Sequence, residues 1–504
     1  MPFGITQKIN KFKLKEMNQI KTKVKIFIFL FVLAQISYCQ SKNQKNVLPA
    51  KKTNIVFIAI DDMNTWISAM GGQAKTPNID KLASEGKLFA NAHCVVPACN
   101  PSRVAILTGL RPETTGQFTN PGNFRDKPGN ADLVTLPKYL KDLGYESIGI
   151  GKIFHKQAGK GEIADPQSDP QSWSFQYKND IGTKGHQALL DENNQAKWLE
   201  GAMYKEGMDI EKPEYLTKFG VWGVTPEKKE ETADWENAAY SAEYLSQAHE
   251  KPFFLSVGFM RPHSPQIAPQ EFFDMYPLEN VVIPELPEDD MDDIPQIAKR
   301  NFTSEFVEQV KAKNQIQKAT QGYLASMSFV DACVGKVLEG IENGPNKDNT
   351  IIVLWSDHGW QLAHKNRWEK FSLWTQSTHA PLVIKYPNMK NRGITSNQAV
   401  SLLDLFPTVL DLSGIEKPDF LEGTSLKPLL EDTNYVREEP ILITYEEGNI
   451  SAHKNEWNLI QYVNGEEEFY NNLKDPHEFN NIINEAGNEE IKNELRASIL
   501  ELKK

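Results

Sequence analysis

The fold and chemistry of this chain of 504 residues are best predicted by working outward from residues 98–109. They read Ala98-Cys99-Asn100-Pro101-Ser102-Arg103-Val104-Ala105-Ile106-Leu107-Thr108-Gly109. Proline is favoured at the first position of a helix, where its missing N–H costs nothing, so Pro101 predicts a helix over residues 102–107. A helix N-terminus offers unpaired N–H donors and a partial positive charge, and Arg103 adds a planar cation. The sequence therefore predicts that an anion can lie beside Cys99.

Three interpretations of Cys99 are open at this point. It is a buried cysteine near a helix end, a thiolate nucleophile of lowered pKa, or the precursor of a modified residue. Cys-x-Pro-Ser-Arg followed by Leu-Thr-Gly resembles the signature of type I sulfatases. In that family the cysteine is oxidised to formylglycine, whose hydrated aldehyde is the nucleophile. The resemblance requires metal ligands and sulfate-binding cations elsewhere in the chain.

From residue 53 onward, apolar runs of strand length alternate with helical patterns. Residues 54–60 form a continuous apolar run, which is typical of a strand covered on both faces. Further strands are predicted over 146–150, 252–259, 350–355 and 381–386, with helices over 77–82, 136–143, 238–248 and 315–341. The alternation predicts an α/β fold with a large, mostly parallel sheet flanked by helices. Short strands from residue 441 and a charged helix near the end predict a small C-terminal antiparallel subdomain.

Polar residues follow four predicted strands, at the sheet edge where ligands of parallel sheets gather. These segments are Asp61-Asp62, Gly151-Lys152-Ile153-Phe154-His155, Arg261-Pro262-His263 and Asp357-His358-Gly359. Each has an ordinary explanation by itself, such as helix capping or a solvated loop, but strand ends distant in sequence meet in space. The carboxylates suit Ca²⁺ or Mg²⁺, and histidines transfer protons near neutral pH. A divalent cation with several fixed cations stabilises the transition state of an anionic ester.

The order of these segments, followed by Trp368-Glu369-Lys370, resembles the branch of type I sulfatases similar to iduronate-2-sulfatase. The resemblance covers residues 54–428 and implies the alkaline-phosphatase-like sulfatase fold. It implies a calcium ion held by Asp61, Asp62, Asp357, His358 and the modified Cys99. It also implies that Arg103 stabilises the formylglycine hydrate and that Lys152 and Lys370 bind the sulfate. The two histidines have separate implied roles: His155 assists breakdown of the sulfated intermediate, and His263 assists departure of the leaving alcohol. A formylglycine-generating maturation enzyme is the implied partner.

Three residues are expected to contact the sugar rather than the sulfate. His364 replaces a glutamate usual in the branch, His453 stands where relatives often have an arginine, and Trp360 follows the metal-ligand segment. Residues 157–236 carry Trp173, Trp198 and Trp222, and they form either a solvated insertion with local aromatic packing or a cleft wall for sugar rings. The acidic, proline-rich residues 284–293 are expected to be a surface connection.

The N-terminus is expected to be a targeting segment. Lysines precede the apolar run 26–36, and residues 1–39 fit a signal peptide whose true start could be Met17. Lipid attachment at Cys39 is the less favoured alternative to cleavage. The predicted divisions are a signal peptide (1–39), a linker (40–52), a catalytic domain (53–430) and a C-terminal subdomain (431–504). Location in the periplasm or outside the cell follows from that signal, with no transmembrane span in the mature chain because the apolar run is too short.

After removal of the signal, Cys94, Cys99 and Cys333 remain, which excludes a disulfide-rich scaffold. Cys94 and Cys333 either pair or are buried thiols. A net charge of −12 argues against nucleic-acid or anionic-membrane partners.

We therefore expect an exported, calcium-dependent sulfatase acting on a sulfated oligosaccharide or polysaccharide, with 2-O-sulfate on a uronic acid or similar residue as the target. One alternative is a phosphoester hydrolase of the same superfold, which needs a Ser or Thr nucleophile and two metals. The other is a non-catalytic polysaccharide-binding protein, which need not keep every cation.

Overall fold

The computed structural model describes residues 52–155, 168–177, 222–299 and 304–504, together with residues 17 and 21. Apart from residues 17, 21 and 52, the predicted signal peptide and linker lie outside these ranges, as do Cys39 and Trp198. Residues 53–504 form one compact unit. Across the described ranges, every helix is too short or too polar to serve as a membrane span.

The strands of the described ranges are β1 (Asn54–Asp61), β2 (Lys87–Phe89), β3 (Ala92–His93), β4 (Glu146–Gly151), β5 (Phe175–Tyr177), β6 (Trp222–Thr225), β7 (Phe253–Pro262), β8 (Gln266–Pro269), β9 (Thr350–Ser356), β10 (Gln361–Leu362), β11 (Trp368–Glu369), β12 (Leu382–Lys385), β13 (Ile394–Ser396), β14 (Val400–Ser401), β15 (Ile441–Thr444), β16 (Ile450–Lys454), β17 (Trp457–Gln461) and β18 (Glu467–Asn471). The α-helices are α1 (Pro77–Glu85), α2 (Cys99–Thr108), α3 (Pro112–Thr115), α4 (Leu136–Asp142), α5 (Ala233–Leu245), α6 (Gln270–Phe273), α7 (Ser304–Ala312), α8 (Ile316–Asn343), α9 (Thr375–Thr378), α10 (Leu405–Leu412), α11 (Lys427–Glu431) and α12 (Glu489–Leu502).

An eight-stranded sheet in the order β13-β2-β12-β9-β1-β7-β4-β5 forms the centre of the molecule. β1 is parallel to both of its neighbours, β7 and β9, and β12 alone runs antiparallel to the strands beside it. The predicted α/β fold with a mostly parallel sheet is thus confirmed.

β1 is fully buried because both faces of the sheet are covered. Val56, Ile58 and Ile60 belong to one hydrophobic cluster, which includes residues of α8, whereas Ile55 and Phe57 belong to a second cluster with residues of α10. A strand between two helical layers loses the alternation of polar and apolar residues. This burial explains the continuous apolar run in the sequence.

The predicted C-terminal subdomain is a four-stranded antiparallel sheet, β15–β18, with α12 packed against it. Its inner face and α12 share a small core that includes Leu459, Phe469 and Leu495. Ile443 and Tyr470 belong to one of the two large clusters of the main sheet. The C-terminal sheet therefore packs directly on the catalytic part.

The structure decides between two pairs of alternatives that the sequence left open and corrects one helix boundary. Trp173 and Trp222 are buried in the main clusters and do not form a wall for sugar rings. The helix expected from residue 238 begins five residues earlier, at Ala233, where the Thr232 side chain caps it. Cys94 and Cys333 are both free, buried thiols.

Two glycines allow β4 and β7 to approach closely at the catalytic edge. A Cβ at Gly258 would lie 2.0 Å from the Lys152 carbonyl oxygen, and Gly151 has φ +68°. We predict that Gly258→Ala lowers the free energy of unfolding by about 1–3 kcal/mol, because the strands must separate, and also lowers sulfate release. Gly129→Ala is the control, since that position is open but has φ +83°. Gly129→Ala should lower the free energy of unfolding without lowering sulfate release. Thermal unfolding measures the stability of each variant, and sulfate release measures its activity. A Gly258→Ala protein with wild-type stability and wild-type activity would contradict the prediction.

Candidate active site

The carboxyl ends of β1, β4, β7 and β9 deliver most of the predicted site residues to one edge of the sheet. These strands are mutually parallel neighbours, so their ends lie side by side. Asp61 and Asp62 end β1, Lys152 follows β4, and Asp357 follows β9. Side chains that are separated by about 300 positions in the sequence thus lie together in one buried site.

Helix α2 brings Cys99 to the same place. The helix begins at Cys99 itself, with Ala98 extended before it, so Pro101 occupies the third helical position rather than the first. Every residue of α2 is buried, and the Ser102 hydroxyl donates a hydrogen bond of 2.6 Å to the Asp357 carbonyl oxygen. The Cys99 side chain is therefore held in the first turn of the helix, where the Asn100 N–H donates to the Asn120 side-chain oxygen.

Four of the five predicted metal ligands form a compact group: Asp61, Asp62, Cys99 and His358 each offer a ligand atom within 4.8 Å of the others. His358 Nε2 lies 3.3 Å from Cys99 Sγ and 3.4 Å from Asp62 Oδ1. Its Nδ1 donates to the Gly359 carbonyl oxygen, which leaves Nε2 for a ligand. Asp357 Oδ1 is 3.7 Å from His358 Nε2 but accepts the Asp62 N–H. The donors, two carboxylates with an imidazole, fit a divalent cation.

Arg103 connects the carboxylates around this group. Its Nε donates to Asp357 Oδ2 at 2.8 Å, and Nη2 donates to Asp61 Oδ1 at 3.2 Å. Its Nη1 donates to the carbonyl oxygens of Lys152 and Ile153. All of these groups are buried, so the guanidinium fixes the ends of three strands in one arrangement.

Two lysines pair with the carboxylates of Asp61 and Asp62. Lys152 Nζ bonds to Asp61, and Lys370 Nζ lies 2.8 and 2.9 Å from the two oxygens of Asp62. Both lysines are buried, and nearby negative charges raise the pKa of each ammonium group against the lowering effect of burial. Both amines are therefore fixed positive charges at neutral pH.

The same cations act on Cys99. Burial raises the pKa of the thiol, but Lys152, Lys370 and His358 outweigh it and hold the pKa well below its ordinary value. Burial raises the pKa of Asp357 to about 6 despite Arg103. For His358, burial lowers the pKa but Asp357 and Cys99 outweigh it and raise the pKa to about 9. The site thus favours a negative side chain at position 99.

The two predicted proton-transfer histidines both lie near the metal group, His155 near Cys99 and His263 near Asp62. His155 lies close enough to Cys99 and Asp61 for their charges to act on its ring, and burial lowers the pKa of that ring. His263 Nε2 is 3.8 Å from Asp62 Oδ2, while its Nδ1 donates to the Ser264 carbonyl oxygen. Both histidines therefore line the site, with the roles predicted for them still to be tested.

Sequence reasoning missed several residues that position the site. The Tyr323 hydroxyl donates to the Asp62 carbonyl oxygen at 2.7 Å and accepts the Asn64 N–H. Asp234 accepts the N–H groups of Met260 and Arg261, both at 2.9 Å, and so holds the end of β7. These residues lie inside helices α8 and α5, where a periodic pattern gives no signal for such contacts.

The segment that carries Lys370 is also held from outside. Lys365 is buried, and its Nζ lies 2.6 Å from Asp290 Oδ1. Asp290 belongs to residues 284–293, which were expected to be a surface connection, yet its side chain is buried. A buried ion pair needs both partners, so this loop is a structural support of the site.

All three predicted sugar contacts are buried, and none belongs to the metal group around Cys99. Trp360 is fully buried, stacks on Tyr323 and lies below the Lys370 amine. His364 is buried and stacks on His477 with no hydrogen-bond partner for either ring nitrogen among the described residues. His453 is buried at the wall of a separate cleft. None of the three contacts the residues around Cys99 through a described hydrogen bond.

A buried thiol at a helix N-terminus, surrounded by fixed cations and a divalent-metal ligand set, defines a hydrolase of anionic esters. The chain matches the family described as sulfatase over residues 53–415, and that described as N-sulphoglucosamine sulphohydrolase, C-terminal, over residues 358–504. It belongs to the sulfatase family and is a sulfuric ester hydrolase.

Relatives agree with this assignment. A sulfatase of Formosa agariphila is 36% identical over 91% of this chain and 88% of its own. Human iduronate 2-sulfatase is 30% identical over 72% of this chain and 70% of its own. Among solved structures, one described as a complex with its substrate D-glucosamine-2-N,6-O-disulfate covers 90% of this chain and 98% of its own, with a TM-score of 0.68 and 22% identity. The phosphonate monoester hydrolase of Agrobacterium radiobacter covers 90% and 95%, with a TM-score of 0.65 and 19% identity. These two structures show the shared fold.

We predict that Arg103→Lys disrupts the site although it keeps the charge, because a lysine cannot bridge Asp357 and Asp61. Leaving a buried carboxylate unpaired should lower the free energy of unfolding by about 3 kcal/mol. Sulfate release should fall by at least about a hundredfold, since the cations lose their arrangement.

The matched control is Arg125→Lys. Arg125 makes two hydrogen bonds of 2.9 Å to Asp169, away from the Cys99 group. That variant should lose stability but keep sulfate release per folded molecule. Equal activity of the two variants would contradict the role of Arg103.

Proposed function

We propose that this sulfatase removes a sulfate ester from a sulfated sugar or polysaccharide, with 2-O-sulfate on a uronic acid or similar residue as its target. The observation that carries the proposal is the set of buried cations, Arg103, Lys152 and Lys370, around Cys99. An anionic ester oxygen cluster is stabilised by such preorganised charges. The choice of sugar is supported by similarity to human iduronate 2-sulfatase.

Cys99 is proposed to carry formylglycine, formed by a separate maturation enzyme. As its hydrate, the modified residue supplies an oxygen nucleophile for the sulfur atom of the ester. The surroundings fit such a group, because the charges that lower the pKa of the thiol would equally favour a deprotonated oxygen there.

The remaining residues take roles that follow from their places. Lys152 and Lys370 hold sulfate oxygens, since each amine has three donors and only part of them is used by Asp61 or Asp62. His155, which lies near position 99, accepts a proton from that side chain. His263 donates a proton to the leaving alcohol, because its Nδ1 is occupied by Ser264 and Nε2 faces the site.

Calcium is the divalent ion proposed for the Asp61, Asp62, Cys99 and His358 group, with Asp357 beside it. Hard carboxylate oxygens favour a hard cation, and the modified Cys99 would add oxygen in place of sulfur. A bound divalent cation would polarise a sulfate oxygen and offset negative charge in the transition state.

A phosphoester hydrolase with two metals is disfavoured by the same geometry. Within the described ranges, only one group of His, Cys and acidic ligand atoms lies close enough together to hold an ion. The phosphonate monoester hydrolase shares the fold, but a shared fold does not by itself determine the substrate.

Export to the periplasm or the exterior is proposed from residues 1–39, whose lysines precede a short apolar run. N-terminal sequencing of the mature protein tests it. A mature chain that retains residues 1–39 in the cytoplasm would contradict export.

The nucleophile is tested by two substitutions. Cys99→Ala should abolish sulfate release while the protein stays folded, because the side chain that supplies the attacking oxygen is gone. Cys99→Ser should also be inactive if formylglycine is required. Sulfate release, thermal unfolding and the mass of the Cys99 peptide are measured with and without the maturation enzyme. Full activity of either variant would overturn the assignment.

The metal is tested by chelation and by Asp61→Asn. Chelation should abolish sulfate release, Ca²⁺ should restore it and Zn²⁺ should not. Added Ca²⁺ should also raise the melting temperature of the chelated wild type, since a ligand that binds the folded state stabilises it. Asp61→Asn should lose both responses, whereas Asp126→Asn, at an exposed position, should keep them. Activity that persists in the metal-free protein would contradict the proposal.

A further inference from the structure

A cleft of about 790 Å³ with mixed polar and apolar lining lies between the central sheet and the C-terminal subdomain. Its lining includes Asn91 and His93 after β2, Asn397 after β13, and His453 and Glu456 of the C-terminal sheet. The residues of the Asp61 metal group are not among its lining residues. The cleft is therefore a feature separate from the catalytic cluster.

The cleft residues that follow β2 and β13 lie at the same edge of the central sheet as the catalytic cluster. β9 is parallel to β1, β12 reverses direction, and β2 reverses it again, so β2 and its parallel partner β13 run with β1. β13 is four positions from β1 in the sheet, which at strand spacings of about 4.8 Å is about 19 Å. An extended molecule lying along this edge can reach both places.

Three histidine rings form one wall of the cleft. The ring centroids of His93 and His379 are 5.1 Å apart, and those of His93 and His453 are 4.2 Å apart. His93 Nε2 bonds to the Asn91 side-chain oxygen, and His379 Nε2 donates to the Ala90 carbonyl oxygen. Within the described residues the only group spaced for an ion is that of Asp61, so this wall is not a metal site. It is an array of flat, uncharged rings.

The rest of the lining suits hydroxyl groups. Its polar groups are amides, hydroxyls, the carboxylates of Asp432 and Glu456, and one amine, that of Lys87, and apolar side chains such as Ile394 and Leu473 lie beside them. Lys87 Nζ already donates to the Leu429 carbonyl oxygen. His453 Nε2 and Asn472 Oδ1 are buried without a hydrogen-bond partner among the described residues. The excess of carboxylates disfavours a sulfated or carboxylated unit, whereas neutral sugar hydroxyls can both donate and accept.

We propose that this cleft binds an uncharged sugar unit of the same glycan whose sulfated unit lies beside Cys99. The cleft would anchor a longer substrate away from the nucleophile, beside strand β13, which is about 19 Å from β1 across the sheet, so that chain length, and not only the sulfated residue, determines the rate. This inference rests on the proposed function, because it takes a sulfated glycan as the substrate.

The test compares short and long substrates in a variant whose cleft is filled. Thr395 lines the cleft and is exposed, so Thr395→Trp adds an indole there. Leu500→Trp adds the same ring at an exposed position of α12 outside the cleft and is the control. The substrates are a disaccharide of 2-O-sulfated uronic acid and N-acetylglucosamine, and an octasaccharide of the same repeat, in which the N-acetylglucosamine units are uncharged. For the wild type and Leu500→Trp, kcat/KM should be at least about tenfold higher on the octasaccharide. For Thr395→Trp this ratio should fall to about one.

A wild type without the length advantage, or a Thr395→Trp protein that keeps it, would overturn the cleft proposal. If neither substrate is hydrolysed, the proposed function fails instead, and binding decides the cleft independently. Titration calorimetry with a desulfated, N-acetylated octasaccharide should then show binding by the wild type and Leu500→Trp but not by Thr395→Trp. Absence of binding by the wild type would overturn the proposal.

Discussion

The buried contact of Arg103 with Asp357 and Asp61 is the constraint on which the rest of the site depends. Three carboxylates and three basic side chains lie out of contact with water, where an unpaired charge is costly. The guanidinium fork joins the ends of β1 and β9 and also binds carbonyl oxygens after β4. Because α2 carries both Arg103 and Cys99, the same contact sets the position of the nucleophile. The ion pairs of Arg103 therefore determine the geometry of the site as well as its stability.

Much of this arrangement could be predicted, for identifiable reasons. The buried run of β1 indicates a central strand, and the segments after β1, β4, β7 and β9 indicate one sheet edge. Prediction failed where a local rule competed with tertiary packing. Pro101 was expected to begin a helix, yet Ala98 is extended and Cys99 takes the first position. Trp360 was expected to meet the sugar, but Tyr323 and Lys370 enclose it.

The remaining parts of the site depend on partners that no local pattern reveals. Tyr323 supports Asp62 from a helix whose periodicity indicates only a buried face. Asp290 is the clearest case, because its surrounding composition is that of a solvated loop and its partner Lys365 is 75 positions away. A buried charge is tolerated only with its partner, and sequence alone does not identify that partner.

The C-terminal sheet belongs to the catalytic machinery for a physical reason. Residues 363–371 contain five non-glycine residues with positive φ, each costing about 1–2 kcal/mol, so this segment does not hold its shape unaided. Buried Glu468 of β18 accepts the Trp374 indole N–H at 2.8 Å and hydroxyls of Tyr462 and Tyr470. Glu478 accepts the Thr375 N–H at 2.7 Å. These bonds fix the chain directly after Lys370, so the position of the Lys370 amine depends on the second sheet as well as on Asp62.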